Sequence, residues 1–178
     1  NGNVVVKATA NVTGYAIQYN NGTTWVTYTD AGVTLSKNGT VDFRLFDGTN
    51  GGSSVTGTVG NIDKLTPNSF TPTTSSTTNS ITITASTTDQ AKTTDYGSSG
   101  MAGYRFSKDN GSTWTAYQTS GTYTYSGLAQ NQSYTLKVEA KDNAGNTTQA
   151  SVAKSTGTVP SNITVSYSTT DWTNGNVV

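Results

Sequence analysis

Few side chains of this chain could carry out acid–base or nucleophilic chemistry. Its 178 residues include no histidine and no cysteine, so a serine nucleophile would lack an imidazole base and thiol chemistry is excluded. Glu139 is the only glutamate, and its alternation with apolar neighbours places it on the outward face of a predicted strand. No pair of acids is suggested by spacing. The sequence therefore predicts a protein that is not an enzyme and has no catalytic or cofactor-binding residues.

Several aspartates lie in predicted loops and turns rather than in a recognisable metal-binding motif. Asp47, Asp89, Asp95 and Asp142 are examples, and the chain has no EF-hand spacing. Zinc sites built from Cys and His are impossible. We expect ordinary turn chemistry and no metal at these positions, with calcium as the alternative.

The most specific motif is at residues 107–114, Ser-Lys-Asp-Asn-Gly-Ser-Thr-Trp. It matches S-x-D-x-G-x-T-W and resembles the Asp-box hairpin of sialidases and related β-propellers, where the box is a structural turn remote from catalysis. We predict a hairpin turn whose Trp114 covers the edge of a sheet. The alternative is that Trp25, Trp114 and Trp172 bind sugars by stacking.

Charge and composition exclude two further classes of protein. Ten Lys and Arg balance ten Asp and Glu, and the charged fraction is 11%, well below the roughly 25% of ordinary globular domains. A flat charge balance without a basic patch argues against nucleic-acid binding. No apolar run approaches the roughly 18 residues of a membrane span. Abundant Thr, Val and Tyr favour strands, and we predict an extracellular or cell-surface β-protein.

A first internal repeat organises the chain into two domains. Tyr15 and Trp25 flank an Asn-Asn-Gly turn, and Tyr104 and Trp114 flank an Asp-Asn-Gly turn 89 residues later. A fixed offset indicates two copies of one supersecondary unit. Each copy fits a domain of roughly 90 residues, the size of a small β-sandwich.

The second domain carries a resemblance to a known family. Tyr134, Leu136 and Val138 face inwards on one predicted strand, with Leu128 six residues before Tyr134. This pattern resembles the F strand of fibronectin type III and related bacterial Ig-like domains. The resemblance implies a sandwich of two antiparallel sheets and a tyrosine corner, in which the Tyr134 hydroxyl bonds to nearby backbone.

The predicted fold is all-β, with two tandem Ig-like or fibronectin III-like antiparallel β-sandwiches in an extended rod. We expect a sandwich lacking its first strand at residues 1–68 and a complete one at residues 69–160, in which 113–117 and 122–125 are short strands. Short linkers that contain Pro67 and Pro160 should limit interdomain freedom.

Residues 161–178 are predicted to be the leading strand of a further repeat. The pentapeptide Asn-Gly-Asn-Val-Val occurs at residues 1–5 and again at 174–178, which indicates a tandem array with a period of 173 residues. Ile163, Val165 and Tyr167 alternate with polar residues ahead of the second pentapeptide, and Trp172 lies between. We expect this strand to complete the next sandwich, in the same chain or in a neighbouring subunit by strand addition.

These observations lead to two functional hypotheses. The first is a structural repeat unit of a secreted or cell-surface bacterial fibre or adhesin stalk, whose partners are neighbouring copies of itself. The alternative is a carbohydrate- or partner-binding accessory module of an adhesin or of a polysaccharide-degrading enzyme, for which glycans are the candidate partner.

Overall fold

The structure, a computed structural model, describes residues 2–166. All of its strands pair antiparallel, and this part of the chain contains no helix and hence none that could cross a membrane. The all-β prediction is confirmed. The strands are β1 (Val4–Val6), β2 (Ala16–Asn20), β3 (Trp25–Thr27), β4 (Val33–Leu35), β5 (Gly39–Phe46), β6 (Val55–Val59), β7 (Thr73–Ser76), β8 (Ser80–Thr84), β9 (Met101–Ser107), β10 (Thr122–Ser126), β11 (Ser133–Asp142) and β12 (Thr147–Ser155).

The first six strands form two sheets. β1 pairs with β4, and the other sheet has the order β3-β2-β5-β6. Val41 and Phe43 alternate with polar residues along β5 and point into the core, as the period of two predicts. The ring of Tyr28 meets that of Phe43 edge-on at 5.7 Å between centroids. The short strand β4 was not predicted, because its three residues, Val-Thr-Leu, carry too little alternation.

The last six strands form the larger core. One sheet has the order β10-β8-β7 and the other β12-β11-β9. Burying each large apolar side chain contributes roughly 1.5–3 kcal/mol, so this cluster dominates the stability of the second sandwich. Its buried members are Ile81, Ile83, Ala85, Tyr104, Phe106, Leu128, Leu136, Val138 and Ala140.

The prediction of a strand at residues 113–117 was wrong, although 122–125 does form β10. The Thr115 hydroxyl, rather than a backbone carbonyl, accepts the hydrogen bond from the Phe106 N–H at 3.0 Å. Backbone pairing to β9 is therefore reduced to the Thr115 N–H, which donates to the Phe106 carbonyl at 2.9 Å, and to the reciprocal bonds between Gln118 and Tyr104. A side chain that takes the place of a ladder carbonyl interrupts the strand.

Two residues of the second sandwich behave differently from the prediction. Glu139 was expected to face solvent but is only 5% exposed, because neighbouring side chains cover it. Tyr134 packs its ring against the core. The prediction of a tyrosine corner at Tyr134 was wrong. Within residues 2–166, the tyrosine hydroxyls that bond to backbone are those of Tyr28, which bonds to Ala8, and Tyr104, which bonds to Thr87.

Candidate functional site

The turn at residues 107–114 is built around one aspartate. The Asp109 carboxylate accepts hydrogen bonds from the Thr113 hydroxyl at 2.6 Å, the Thr113 N–H at 2.8 Å and the Ser107 hydroxyl at 2.7 Å. These bonds lower the pKa of Asp109 to about 2. Asn110 and Gly111 take the positive φ angles of 57° and 92° that the turn requires. All of these bonds join residues of the turn, and they fix the backbone that leads to Trp114.

The tryptophans of the two turns lie on their own sandwiches beneath arginine side chains. The Arg105 guanidinium sits 4.7 Å from the centroid of the Trp114 ring, and the Arg44 guanidinium sits 4.3 Å from that of Trp25. Each cation–π contact of this kind stabilises the fold by about 0.5–1 kcal/mol. Arg44 is fixed in turn, because its Nε donates to the Gln18 side chain at 2.9 Å. One face of each indole is therefore occupied by the protein itself.

Glu139 is the hub of the polar network beside Trp114. It forms an ion pair with Arg105 at 2.8 Å, and it accepts hydrogen bonds from the Tyr117 hydroxyl and from the Gln149 amide at 2.5 Å. Burial alone would raise the pKa of Glu139, but the bonds from Tyr117, Gln149 and Arg105 outweigh it and lower the pKa. Burial and the adjacent carboxylate raise the pKa of Tyr117 to about 12. The network is a fixed structural brace.

Hydrogen bonds join a long loop of the second sandwich, the linker and a residue of the first sandwich at the junction between the sandwiches. The connection from β8 to β9 (residues 85–100) docks on the linker, where the Gly97 N–H donates to the Ile62 carbonyl at 2.7 Å. Asn38 of the first sandwich joins both, since its side chain accepts from the Ile62 N–H at 2.8 Å and its N–H donates to the Asp95 carbonyl at 2.7 Å. Ile62 is 3% exposed. The linker is therefore part of the fold.

The β11–β12 turn and the beginning of β12 also bond to the linker. The Asn146 amide donates to the Leu65 carbonyl at 3.0 Å, and the Thr148 hydroxyl donates to the Pro67 carbonyl at 2.6 Å. These bonds satisfy backbone carbonyls that the linker could not pair within itself. Sequence reasoning missed this junction. The sequence did contain one signal for it. The β8–β9 connection is longer than the corresponding β1–β2 connection of the first sandwich (residues 7–15), which indicates that it has an additional role.

Three carboxylates converge at this junction. One oxygen from each of Asp63, Asp89 and Asp142 lies within 4.8 Å of the others. Oxygen ligands of this kind are what divalent cations such as Ca²⁺ bind, so these are the residues that could hold a metal. Sequence reasoning placed Asp89 and Asp142 in loops but did not bring them together, and it missed Asp63.

Two of the three junction carboxylates are almost completely buried. Asp63 and Asp142 are 3% and 1% exposed, too deep to reach a polymeric substrate. They also accept bonds from the fold: Asp63 from the N–H groups of Leu65 and Ser99, at 3.0 and 2.8 Å, and Asp142 from the N–H of Asn146 at 2.8 Å.

The residues predicted for assembly do not gather at one place. Ile163 and Val165 follow the last strand and are 86% and 83% exposed. Tyr167 and Trp172 lie outside the described residues. Trp25 and Trp114 belong to separate sandwiches, and Tyr134 packs on the core of the second.

The strand order of the second sandwich is that of a fibronectin type III-like domain. Of its six strands, the first, second and fourth (β7, β8 and β10) form one sheet, and the third, fifth and sixth (β9, β11 and β12) form the other. No profile of a known protein family matches the chain.

Similarity to characterised proteins leads to bacterial glucanases. Exoglucanase B of Cellulomonas fimi is 35% identical over 159 residues, which is 83% of this chain and 14% of that enzyme. Exoglucanase A of the same organism is 43% identical over 88 residues, and endoglucanase B is 36% identical over 101. These stretches are 48% and 53% of this chain, and each is 10% of the enzyme. The chain thus spans only a small part of each relative.

A solved structure of several domains overlaps weakly with this chain. The FN1–FN3 domains of chicken CNTN1 cover 82% of this chain, at 14% identity and a TM-score of 0.34, and the match covers 56% of that chain.

Proposed function

We propose that this chain is a non-catalytic spacer module of a secreted polysaccharide-degrading enzyme, in which two sandwiches with a fixed junction hold other domains apart. The observation that carries the proposal is the similarity to exoglucanase B. Its 159 matched residues exceed either sandwich alone, because the strands of the two span Val4–Val59 and Thr73–Ser155. The likeness therefore extends across the junction.

The chemistry of the described residues supports a spacer over a catalyst or a sugar-binding face. Of the clustered carboxylates, Asp63 and Asp142 are buried and Asp89 is half-buried. An arginine covers one face of each of the two tryptophans, which are half-buried, so at most the opposite face of each ring is left for stacking on a sugar. An extracellular location follows from the proposal, since polymeric glucans are degraded outside the cell.

The hypothesis of a structural repeat unit explains how several such modules would be arranged along one chain. The pentapeptide that recurs after 173 residues supports a tandem array of such pairs of sandwiches. In this arrangement the repeat sets the length of the spacer. A surface fibre or adhesin stalk built from the same repeat is the second candidate.

The proposal is tested by giving the purified full chain soluble and insoluble β-glucans. We expect no release of reducing ends and no retention on the insoluble polymer. Hydrolysis above the blank would overturn the non-catalytic assignment. Retention that is lost in Trp114→Ala but kept in the exposed control Thr124→Ala would replace the spacer with a sugar-binding module.

A further inference from the structure

An apolar groove runs along the first sandwich. It has a volume of about 500 Å³ and lies between the segment that follows β1 and the strands β5 and β6. Its floor is made of inward-facing side chains, and Val55 at its rim is 72% exposed. The apolar residues that matter here are Val6, Ala8, Ile17, Phe43, Leu45 and Val55.

The same position is covered in the second sandwich. Gln18 of the first sandwich corresponds to Ser107 of the second, 89 residues later. Gln18 lies opposite Arg44 and Ser107 lies opposite Lys137, so Arg44 and Lys137 correspond as well. The residues that precede these two, Phe43 and Leu136, are therefore equivalent.

Val55 faces Phe43 across β5 and β6, as Val152 faces Leu136 across β11 and β12. Register partners share one face of a sheet, so both valines point inwards. Val152 is packed against the core of the second sandwich, whereas Val55 is exposed in the first.

The cover of the second sandwich is its own leading segment. Strand β7 pairs antiparallel with β8, and Phe70 just ahead of it packs against the same core as Val152. In the first sandwich, β1 pairs with β4 alone among residues 2–166. The other edge of β1 therefore presents unpaired backbone groups beside an open apolar groove, which is a template for an added strand.

The chain itself contains a segment with the properties of the missing cover. Ile163 and Val165 form one exposed apolar face, with Thr164 between them. In sequence this segment precedes the second Asn-Gly-Asn-Val-Val pentapeptide, just as β7 precedes β8. The first copy of that pentapeptide leads into β1.

We propose that residues 163–166 of another copy of the repeat add to β1 as an antiparallel strand, with Ile163 and Val165 entering the groove against Val55. The partner is thus a second copy of this sequence. Main-chain bonds to β1 supply affinity, and the alternating apolar side chains supply register. The inference rests on the tandem arrangement given above, but not on a glucanase context.

The first test measures the mass of the full chain by light scattering over a range of concentrations. We expect wild type to associate and both Val55→Asp and the double variant Ile163→Asp/Val165→Asp to remain monomeric. Mixing the two variants should restore a 1:1 dimer and nothing larger, because only one intact groove and one intact strand are then present. Val159→Asp, which removes an exposed apolar side chain outside the segment, is the matched control and should associate like wild type.

The second test places the strand in the same chain. Residues 161–173 are fused ahead of Asn1, which reproduces the sequence that precedes the second pentapeptide. We expect amide exchange in β1 to slow at least about tenfold and the unfolding temperature of the first sandwich to rise. Both effects should vanish when the added segment carries Val165→Asp.

A monomeric wild type together with an extension that changes neither β1 exchange nor the unfolding temperature would overturn the inference. Association that persists in both groove and strand variants would also overturn it. Neither result bears on the spacer proposal, which is tested by hydrolysis, glucan binding and the geometry of a single chain.

Discussion

Replacing Glu139 with alanine tests whether the buried brace beside Trp114 stabilises the second sandwich. The change removes the acceptor for the Tyr117 hydroxyl, the Gln149 amide and the Arg105 guanidinium at once. Hydrogen bonds to a charged group contribute about 1.5–3 kcal/mol each. All three partners retain some access to water and regain part of this, so we expect a net loss of about 2–4 kcal/mol at pH 7.

The assay is urea unfolding followed by tryptophan fluorescence. With a slope of about 2 kcal/mol per M, the midpoint should fall by about 1–2 M. Thr135→Ala is the matched control, because it lies on the same strand and the same face but is exposed. It should change stability by less than about 0.5 kcal/mol. A Glu139→Ala protein as stable as the control would refute the reasoning.

The pH dependence of the Glu139→Ala effect follows from the lowered pKa of Glu139. A carboxyl whose pKa is lower in the folded than in the unfolded chain stabilises the fold above its unfolded pKa of about 4.3. This contribution is lost as pH falls through the folded pKa. The difference between wild type and Glu139→Ala should therefore be full at neutral pH and narrow on acidification below about pH 4.

Three further changes test other parts of the structure. Ile62→Ala removes a buried side chain at the junction and should cost about 2–4 kcal/mol in urea unfolding; an unchanged midpoint would show that the linker is not packed. Thr156→Val removes the bonds that the hydroxyl makes to the Ala129 carbonyl at 2.7 Å and the Gln132 N–H at 3.0 Å, and we expect a loss of about 1–2 kcal/mol by the same measurement. Asp109→Asn should destabilise at neutral pH, and the difference from wild type should shrink as the pH falls from about 4 to about 2, since the pKa of Asp109 is lowered to about 2. A difference that persists unchanged at pH 2 would contradict the proposed role of the ionised carboxylate.

Strands with strict alternation could be predicted from the sequence, and those without it could not. The pattern around Leu136 and Val138 gave β11, and the 89-residue offset gave the equivalence of the two turns. Strand β4 was too short to show a period. The strand predicted at residues 113–117 failed because the Thr115 hydroxyl replaces a backbone acceptor, a choice that propensity does not encode.

The junction was hidden from sequence reasoning for a different reason. Asp63 comes from the linker, Asp89 from the β8–β9 connection and Asp142 from the end of β11, so only the tertiary fold brings them together. Glu139 illustrates the same limit, because alternation correctly put it on the outer face of β11 but could not show that Tyr117 and Arg105 cover it there. Local pattern determines the face of a strand, and tertiary packing determines burial.

The central claim, that the junction fixes the two sandwiches relative to each other, is tested most directly by an electron–electron distance measurement. Thr23→Cys and Ser112→Cys place one spin label on each of the equivalent exposed turns, and the chain has no cysteine of its own. A fixed junction predicts one narrow distance distribution. A freely flexible linker over residues 60–72 would spread the distances over roughly 20 Å, and such a broad distribution would contradict the account.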